Sequence, residues 1–329
     1  MNLESENIIR KLVFWVFAAI IMFSIAIALF TDFDKIQKAV ALFSPFSIFI
    51  ILFSVLINYL LRFIKWEFFL RRIDIIIPLK QSLWIFFSSF AMVLSPGKLG
   101  EIMKSLLLKS QFSIPISKSA PIVMAERITD LLGLSLIAAY GSSKFAFGGK
   151  MLFAAISIIF FFVICITRPG FWQWIDKNIL ARFARLAKVR NSVKALEESS
   201  GNLLSPFSLL VTVPLSAVSW AGEGVALYFI FLALKVDVPD LLAVSLFAHS
   251  FSSIAGAFSF LPGGLLVTEG ILGVFFVKIV GIAEANAVTA TLMIRTATLW
   301  FAVFLGTTVF IAGKGRLGAS SQKKAETQL

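Results

Sequence analysis

Three ionisable residues, Glu126, Arg127 and Asp130, stand near the centre of residues 118–141, KSAPIVMAERITDLLGLSLIAAYG. That run is long and apolar enough to cross a bilayer. A charge at such depth costs about 2.5–3.5 kcal/mol on insertion scales, so three at one level imply a use. On a helix, Glu126 and Asp130 are four apart and Arg127 and Asp130 are three apart, which makes all three neighbours with the carboxylates on one face. A structural Arg127–Asp130 ion pair is the plain reading. Even then one carboxylate lacks a cation in its own helix and must meet Lys98, Arg295, a proton or a ligand. Arg295 lies inside a second apolar run, 288–313, and Glu223 lies near the centre of 205–234 with no basic neighbour in its own helix. Guanidinium groups and carboxylates together at mid-membrane suit a phosphate-bearing or zwitterionic ligand. Arginine holds phosphate bidentately, and carboxylates hold an amine, bond sugar hydroxyls or carry protons.

Each buried arginine follows a Pro-Gly break with a glutamate beyond it. The first break reads Ser95-Pro96-Gly97-Lys98-Leu99-Gly100-Glu101, and the second runs from Leu261-Pro262-Gly263-Gly264 to Glu269. Proline removes a backbone donor and glycine admits unusual dihedrals, so Pro96, Gly97, Gly100, Pro262, Gly263 and Gly264 are expected to interrupt helices. Lipid cannot satisfy the freed backbone groups, so such breaks survive where protein or a water-filled cavity covers them. A half-helix N-terminus favours anions, and Lys98 and Lys104 add positive charge beside the first break. A kink used only for packing is the alternative. The candidate substrate-binding set is therefore Lys98, Glu101, Lys104, Glu126, Arg127, Asp130, Glu223, Glu269 and Arg295.

The elements that must position these residues are membrane helices. The chain is 59% hydrophobic, against roughly 45–50% in soluble domains, and its mean hydropathy is +0.93. Full spans are expected at about 11–30, 44–62, 117–140, 151–167, 205–234 and 285–312. The stretches 81–108 and 241–282, interrupted by the Pro-Gly motifs, are expected to be re-entrant hairpins. With that parity, 20 Lys and Arg fall on one side and 5 on the other. The richer side, which includes Arg62 and Lys65, is then cytoplasmic and holds both termini. The units 44–140 and 205–312 acquire opposite orientations, the inverted-repeat plan of many transporters.

Between the units, 168–200 reads as an amphipathic linker, with Trp172, Ile175, Ile179, Phe183 and Leu186 on one face; a solvated linker helix is the alternative. Residues 1–315 form one transmembrane domain, and 316–329 read as a disordered cytoplasmic tail. The net charge of +12 flanks hydrophobic runs, which points to anionic inner-leaflet lipids rather than nucleic acid. Cys165 is the only cysteine and His249 the only histidine, so neither an internal disulfide nor a thiolate metal site is expected. No GxxxxGK[ST] or HExxH motif occurs. No cofactor, metal or catalytic residue is expected, and no loop is long enough for a soluble catalytic domain.

The first Pro-Gly motif, the Glu126-Arg127-xx-Asp130 set and Leu261-Pro262-Gly263-Gly264 with Glu269 together resemble the lysylphosphatidylglycerol synthase transmembrane region family, over about 10–312. That is the flippase-like domain also found in the multiple peptide resistance factor. Leu266 departs from the family pattern, which often shows glycine before the downstream glutamate. The resemblance implies a stand-alone lipid translocase-like domain in the plasma membrane, without the cytosolic synthase domain of two-domain relatives and so without its transferase activity. Its substrate would be an aminoacyl-phosphatidylglycerol, a polyprenyl-phosphate-linked sugar or a related lipid. Two other functions fit the residues: a non-catalytic membrane partner of a separate lipid synthase or glycosyltransferase, and an intramembrane lipid-modifying transferase, which the lack of large loops disfavours.

Overall fold

The computed structural model describes residues 33–94, 99–143, 201–259 and 261–326, with six isolated positions between 150 and 174. The expected spans 11–30 and 151–167 and nearly all of the linker 168–200 lie outside the described residues, as do Ser95, Pro96, Gly97 and Lys98. Every regular element among the described residues is helical. In chain order they are α1 (Phe33–Val40), α2 (Pro45–Arg72), α3 (Leu79–Ser89) with a 3-10 turn at Phe90–Met92, α4 (Leu99–Phe112) and α5 (Ile116–Ser142). After the linker come α6 (Pro206–Ala233), α7 (Leu241–Phe258), a 3-10 turn at Pro262–Gly264 and α8 (Val267–Val274), which runs on as π-helix over Phe275–Val280. Last are α9 (Glu284–Arg295), a π-helical stretch at Thr296–Trp300, and α10 (Phe301–Glu326).

The two halves begin alike. Ser44-Pro45-Phe46-Ser47 opens α2 and Ser205-Pro206-Phe207-Ser208 opens α6. In each, the first serine accepts from the backbone N–H three residues on, at 3.1 Å for Ser44 and 3.3 Å for Ser205. The proline sits where its missing donor costs nothing. These two helices pack on each other through small residues that let the backbones approach. A Cβ on Gly222 would stand 2.8 Å from the Ser54 carbonyl oxygen. Asn58 donates to the Ser219 carbonyl at 2.9 Å, and Ser219 Oγ donates back to the Asn58 carbonyl at 3.1 Å.

The third helix of each half then packs on the broken segment of the other. α5 lies against α7, and α10 lies against α3 and its 3-10 turn.

Among the described residues, five helical segments are long and apolar enough to cross a membrane: Pro45–Arg72, Pro206–Ala233, Leu241–Phe258, Pro262–Val280 and Glu284–Gly313. The expected span 117–140 is the 27-residue helix α5, whose charge load sets it apart from these five. α2 continues ten residues past the expected end at residue 62, because Arg62 and Lys65 do not leave the protein. Lys65 is 1% exposed and Arg62 lines a cavity. Removing both from the charge tally leaves 18 against 5, so the bias keeps its sign. The two broken stretches differ in length. α3 and α4, of 11 and 14 residues, reach about 17 and 21 Å at 1.5 Å per residue, short of a core about 30 Å thick. α7 has 18 residues, whereas the helix after the second break, Val267–Val280, has 8 α-helical and 6 π-helical residues and so matches α4 in length. α10 stays helical to Glu326 where a disordered tail was expected from 316; Ala, Gln, Lys and Glu in that segment are good helix formers.

Candidate functional site

Glu101 is the third residue of α4 and Glu269 the third of α8. A carboxylate in the first turn is favoured by the helix dipole. Each pairs with the arginine 26 positions later. Arg127 on α5 grips Glu101 with two donors, Nε to Oε2 at 2.5 Å and Nη2 to Oε1. Arg295, at the end of α9, donates from Nε to Glu269 Oε1 at 2.5 Å and from Nη2 to the Gly263 carbonyl at 2.7 Å. That carbonyl is free because Gly263 and Gly264 take φ of 58° and 66°, left-handed values that glycine adopts without strain. The second Pro-Gly break therefore supplies a backbone ligand to the arginine of its own half.

Leu266 takes φ 70° and ψ −44°, in a region an L-residue occupies only under strain. This is the position where the family resemblance led glycine to be expected.

The other buried charges find partners on different helices. Lys104 on α4 pairs with Glu126 on α5 and lies 4.6 Å from the Trp66 ring centre. Asp130 does not pair with Arg127. It takes Lys65 of α2, and Ser216 of α6 donates to it at 3.2 Å. Lys65 also donates to Ser216 Oγ at 2.7 Å and Thr129 Oγ1 at 3.3 Å, so each of its three protons has an acceptor. Glu223 on α6 meets His249 on α7, Oε2 to Nε2 at 3.0 Å. Its partner is thus His249 rather than Arg295, which takes Glu269.

A cavity of about 170 Å³ lies where these elements meet. Lys104, Glu101, Glu126, Arg127, Glu223 and Arg295 line it, together with Gly100, Gly263 and Gly264. Glu269 stands behind Arg295, and Asp130 lies off the wall in its network with Lys65. Lys98, Pro96 and Gly97 fall outside the described residues, while Pro262 opens the turn that carries Gly263. Tyr59, Arg62, Trp220 and His249 complete the polar and aromatic part of the wall. Tyr59 donates to the Thr298 carbonyl at 2.5 Å, tying α2 to the π-helical stretch after Arg295. Among the described residues no group of three or more His, Cys, Asp or Glu is placed to hold a metal ion.

Sequence reasoning missed three of these residues. Arg62 and Lys65 were read as charges ending a span, although an unmatched carboxylate on α5 already called for a cation from another helix. His249 was noted only as the single histidine, with no partner named. Glu223, equally alone in its own helix, was the natural match.

The comparisons with known proteins agree with one another. The model of the lysylphosphatidylglycerol synthase TM region matches residues 14–306. The UPF0104 membrane protein MJ1078 of Methanocaldococcus jannaschii is 31% identical over 223 residues, 66% of this chain and 91% of that protein. A UPF0104 membrane protein of Methanothermobacter thermautotrophicus is 26% identical over 143 residues, 43% of this chain and 40% of its own length. PH1989 of Pyrococcus horikoshii, another UPF0104 membrane protein, is 24% identical over 320 residues, 87% of this chain and 93% of that protein. No solved structure matches the chain. A family match across nearly the whole chain, including both glutamate–arginine pairs, goes with a multi-pass helical architecture: the chain belongs to the lysylphosphatidylglycerol synthase transmembrane region family.

Proposed function

We propose that this protein translocates a phosphate-bearing lipid across the plasma membrane, with its termini in the cytoplasm and its two halves acting as an inverted repeat. One observation carries the reading. Two glutamate–arginine pairs, equally spaced in the two halves, bring Glu101, Arg127 and Arg295 to the wall of one cavity. Transporters with broken helices place their ligand sites at such a junction. Each pair costs desolvation energy in the membrane, and a packing role alone gives no reason to aim the second arginine at a break. The aromatic and polar lining suits a head group. The 18-to-5 bias of Lys and Arg supports the orientation.

The test is a head-group accessibility assay in proteoliposomes. Purified protein is reconstituted with labelled aminoacyl-phosphatidylglycerol, phosphatidylglycerol or a polyprenyl-phosphate sugar, beside folded Arg127→Gln. The expected result is faster equilibration of one lipid by the wild type, lost in the variant. No acceleration of any lipid by folded wild type refutes translocation and leaves the role of membrane partner to a lipid synthase or glycosyltransferase.

A further inference from the structure

We propose that Arg62 is the residue that receives the ligand's phosphate in this cavity, in place of Arg127 or Arg295. The inference rests on the cavity being the ligand site proposed above.

Among the described residues the cavity wall carries four permanent cations, and three are already engaged. Arg127 gives two donors to Glu101. Arg295 divides its own between Glu269 and the Gly263 carbonyl, and Lys104 is held by Glu126. Arg62 differs from all three. It lies on α2, three residues after Tyr59 and so on the same face, and it is half-buried. Its guanidinium stands 5.3 Å from the Trp220 ring centre and 5.9 Å from that of Phe90. Among the described residues it makes no hydrogen bond and touches no carboxylate. Aromatic neighbours stabilise the cation, but ring faces accept little from its five in-plane N–H donors. Among the described residues, the wall therefore holds a half-buried planar donor edge without a protein acceptor, a place that a ligand oxygen would fill. Phosphate oxygens match that edge bidentately. The carboxylates nearest the two pairs do not forbid an anion, because Glu101 and Glu126 are each neutralised by a cation. A volume of about 170 Å³ is several times the roughly 30 Å³ share of one water, enough for a phosphate group.

The phosphate could belong to a lipid head group or be free, and calorimetric titration separates the two. Purified protein in non-ionic detergent is titrated with short-chain phosphatidylglycerol, with inorganic phosphate, and with a short-chain diacylglycerol as phosphate-free control. Phosphatidylglycerol is expected to bind the wild type, with affinity falling about tenfold or more in Arg62→Gln, the scale of a lost charge-assisted contact. Arg62→Lys keeps the charge but loses the fork, so a fall of several-fold is expected. Arg295→Lys, whose partners are protein groups, should change affinity by less than Arg62→Lys. Phosphate binding without lipid binding, still lost in Arg62→Gln, supports the site and removes the lipid assignment.

Three results overturn the proposal: unchanged affinity in a monodisperse Arg62→Gln, equal binding of diacylglycerol, or binding of neither phosphate compound by the wild type. If Arg62→Gln fails to fold, unchanged affinity in Arg62→Lys overturns it equally. The vesicle assay keeps this failure apart from that of translocation. Lipid moved equally by wild type and Arg62→Gln removes the role of Arg62 and leaves transport standing. Arg62-dependent binding without lipid movement leaves the site standing and removes transport.

Discussion

Replacing Lys65 by methionine should destabilise the protein severely, and replacing Asp130 as well should restore most of the loss. Lys65 and Asp130 are 1% and 2% exposed. The ammonium group satisfies Asp130, Ser216 and Thr129 together. Lys65→Met removes the charge and all three bonds while keeping most of the side-chain volume. Asp130 is then left with the Ser216 hydroxyl alone, its other oxygen already having no hydrogen-bond partner among the described residues. Breaking a buried pair from one side costs about 3–5 kcal/mol, which at this size corresponds to a fall in melting temperature on the order of 10 °C. Lys65→Met with Asp130→Leu leaves no orphaned charge and, from the behaviour of other buried pairs, should come within about 1–2 kcal/mol of wild type or exceed it. The assay is thermal unfolding in detergent across the double-mutant cycle, with the lipid assay run on each folded protein. Because Asp130 lies off the cavity wall, the double variant should keep ligand handling close to wild type. The reasoning is refuted if Lys65→Met melts within about 2 °C of wild type. It is refuted equally if the stable double variant has lost function, which would return Asp130 to the ligand path.

Two further outcomes follow from the paired geometry and the second break. Glu101→Gln and Glu269→Gln each leave an arginine without its carboxylate, so both should abolish lipid movement and destabilise by about 2–4 kcal/mol; full activity in either, measured in vesicles, breaks the equivalence of the halves. At Leu266, φ 70° strains any side chain, and most of all a β-branched one. Leu266→Val should lower the melting temperature, and Leu266→Gly should leave it unchanged or raise it by an amount equivalent to about 1 kcal/mol; the reverse order would show that the break relaxes in the folded protein.

Much of the site was legible before the fold because intramembrane charge is costly wherever it occurs. Glu126, Arg127, Glu223 and Arg295 stood out by residue type and depth alone, and the Pro-Gly breaks marked where helices must stop. The equal 26-residue spacing of Glu101–Arg127 and Glu269–Arg295, and the repeated Ser-Pro-Phe-Ser openings of α2 and α6, were also present in one dimension. They become persuasive once packing places both pairs at one cavity. Arg62 and Lys65 were misassigned because a charge at the end of an apolar run looks the same whether it reaches the head groups or turns inward. Only the helix opposite decides. Asp130 shows the converse: its type and position mark it for a partner, but its nearest cation in sequence, Arg127, is not the one it takes.

The amino-acid order by itself determined that this chain crosses a membrane, that it is helical, that the helix pattern breaks at Pro262-Gly263, and that its embedded charges need partners. Each of these is a cost or preference carried by a residue and its immediate neighbours. Which partner each charge found was settled by tertiary structure. Small residues such as Gly222 let α2 and α6 close on each other, and α5 and α10 each lie against the broken segment of the other half. Partner choice depends on distances between helices far apart in sequence, and those distances exist only when the helices have packed.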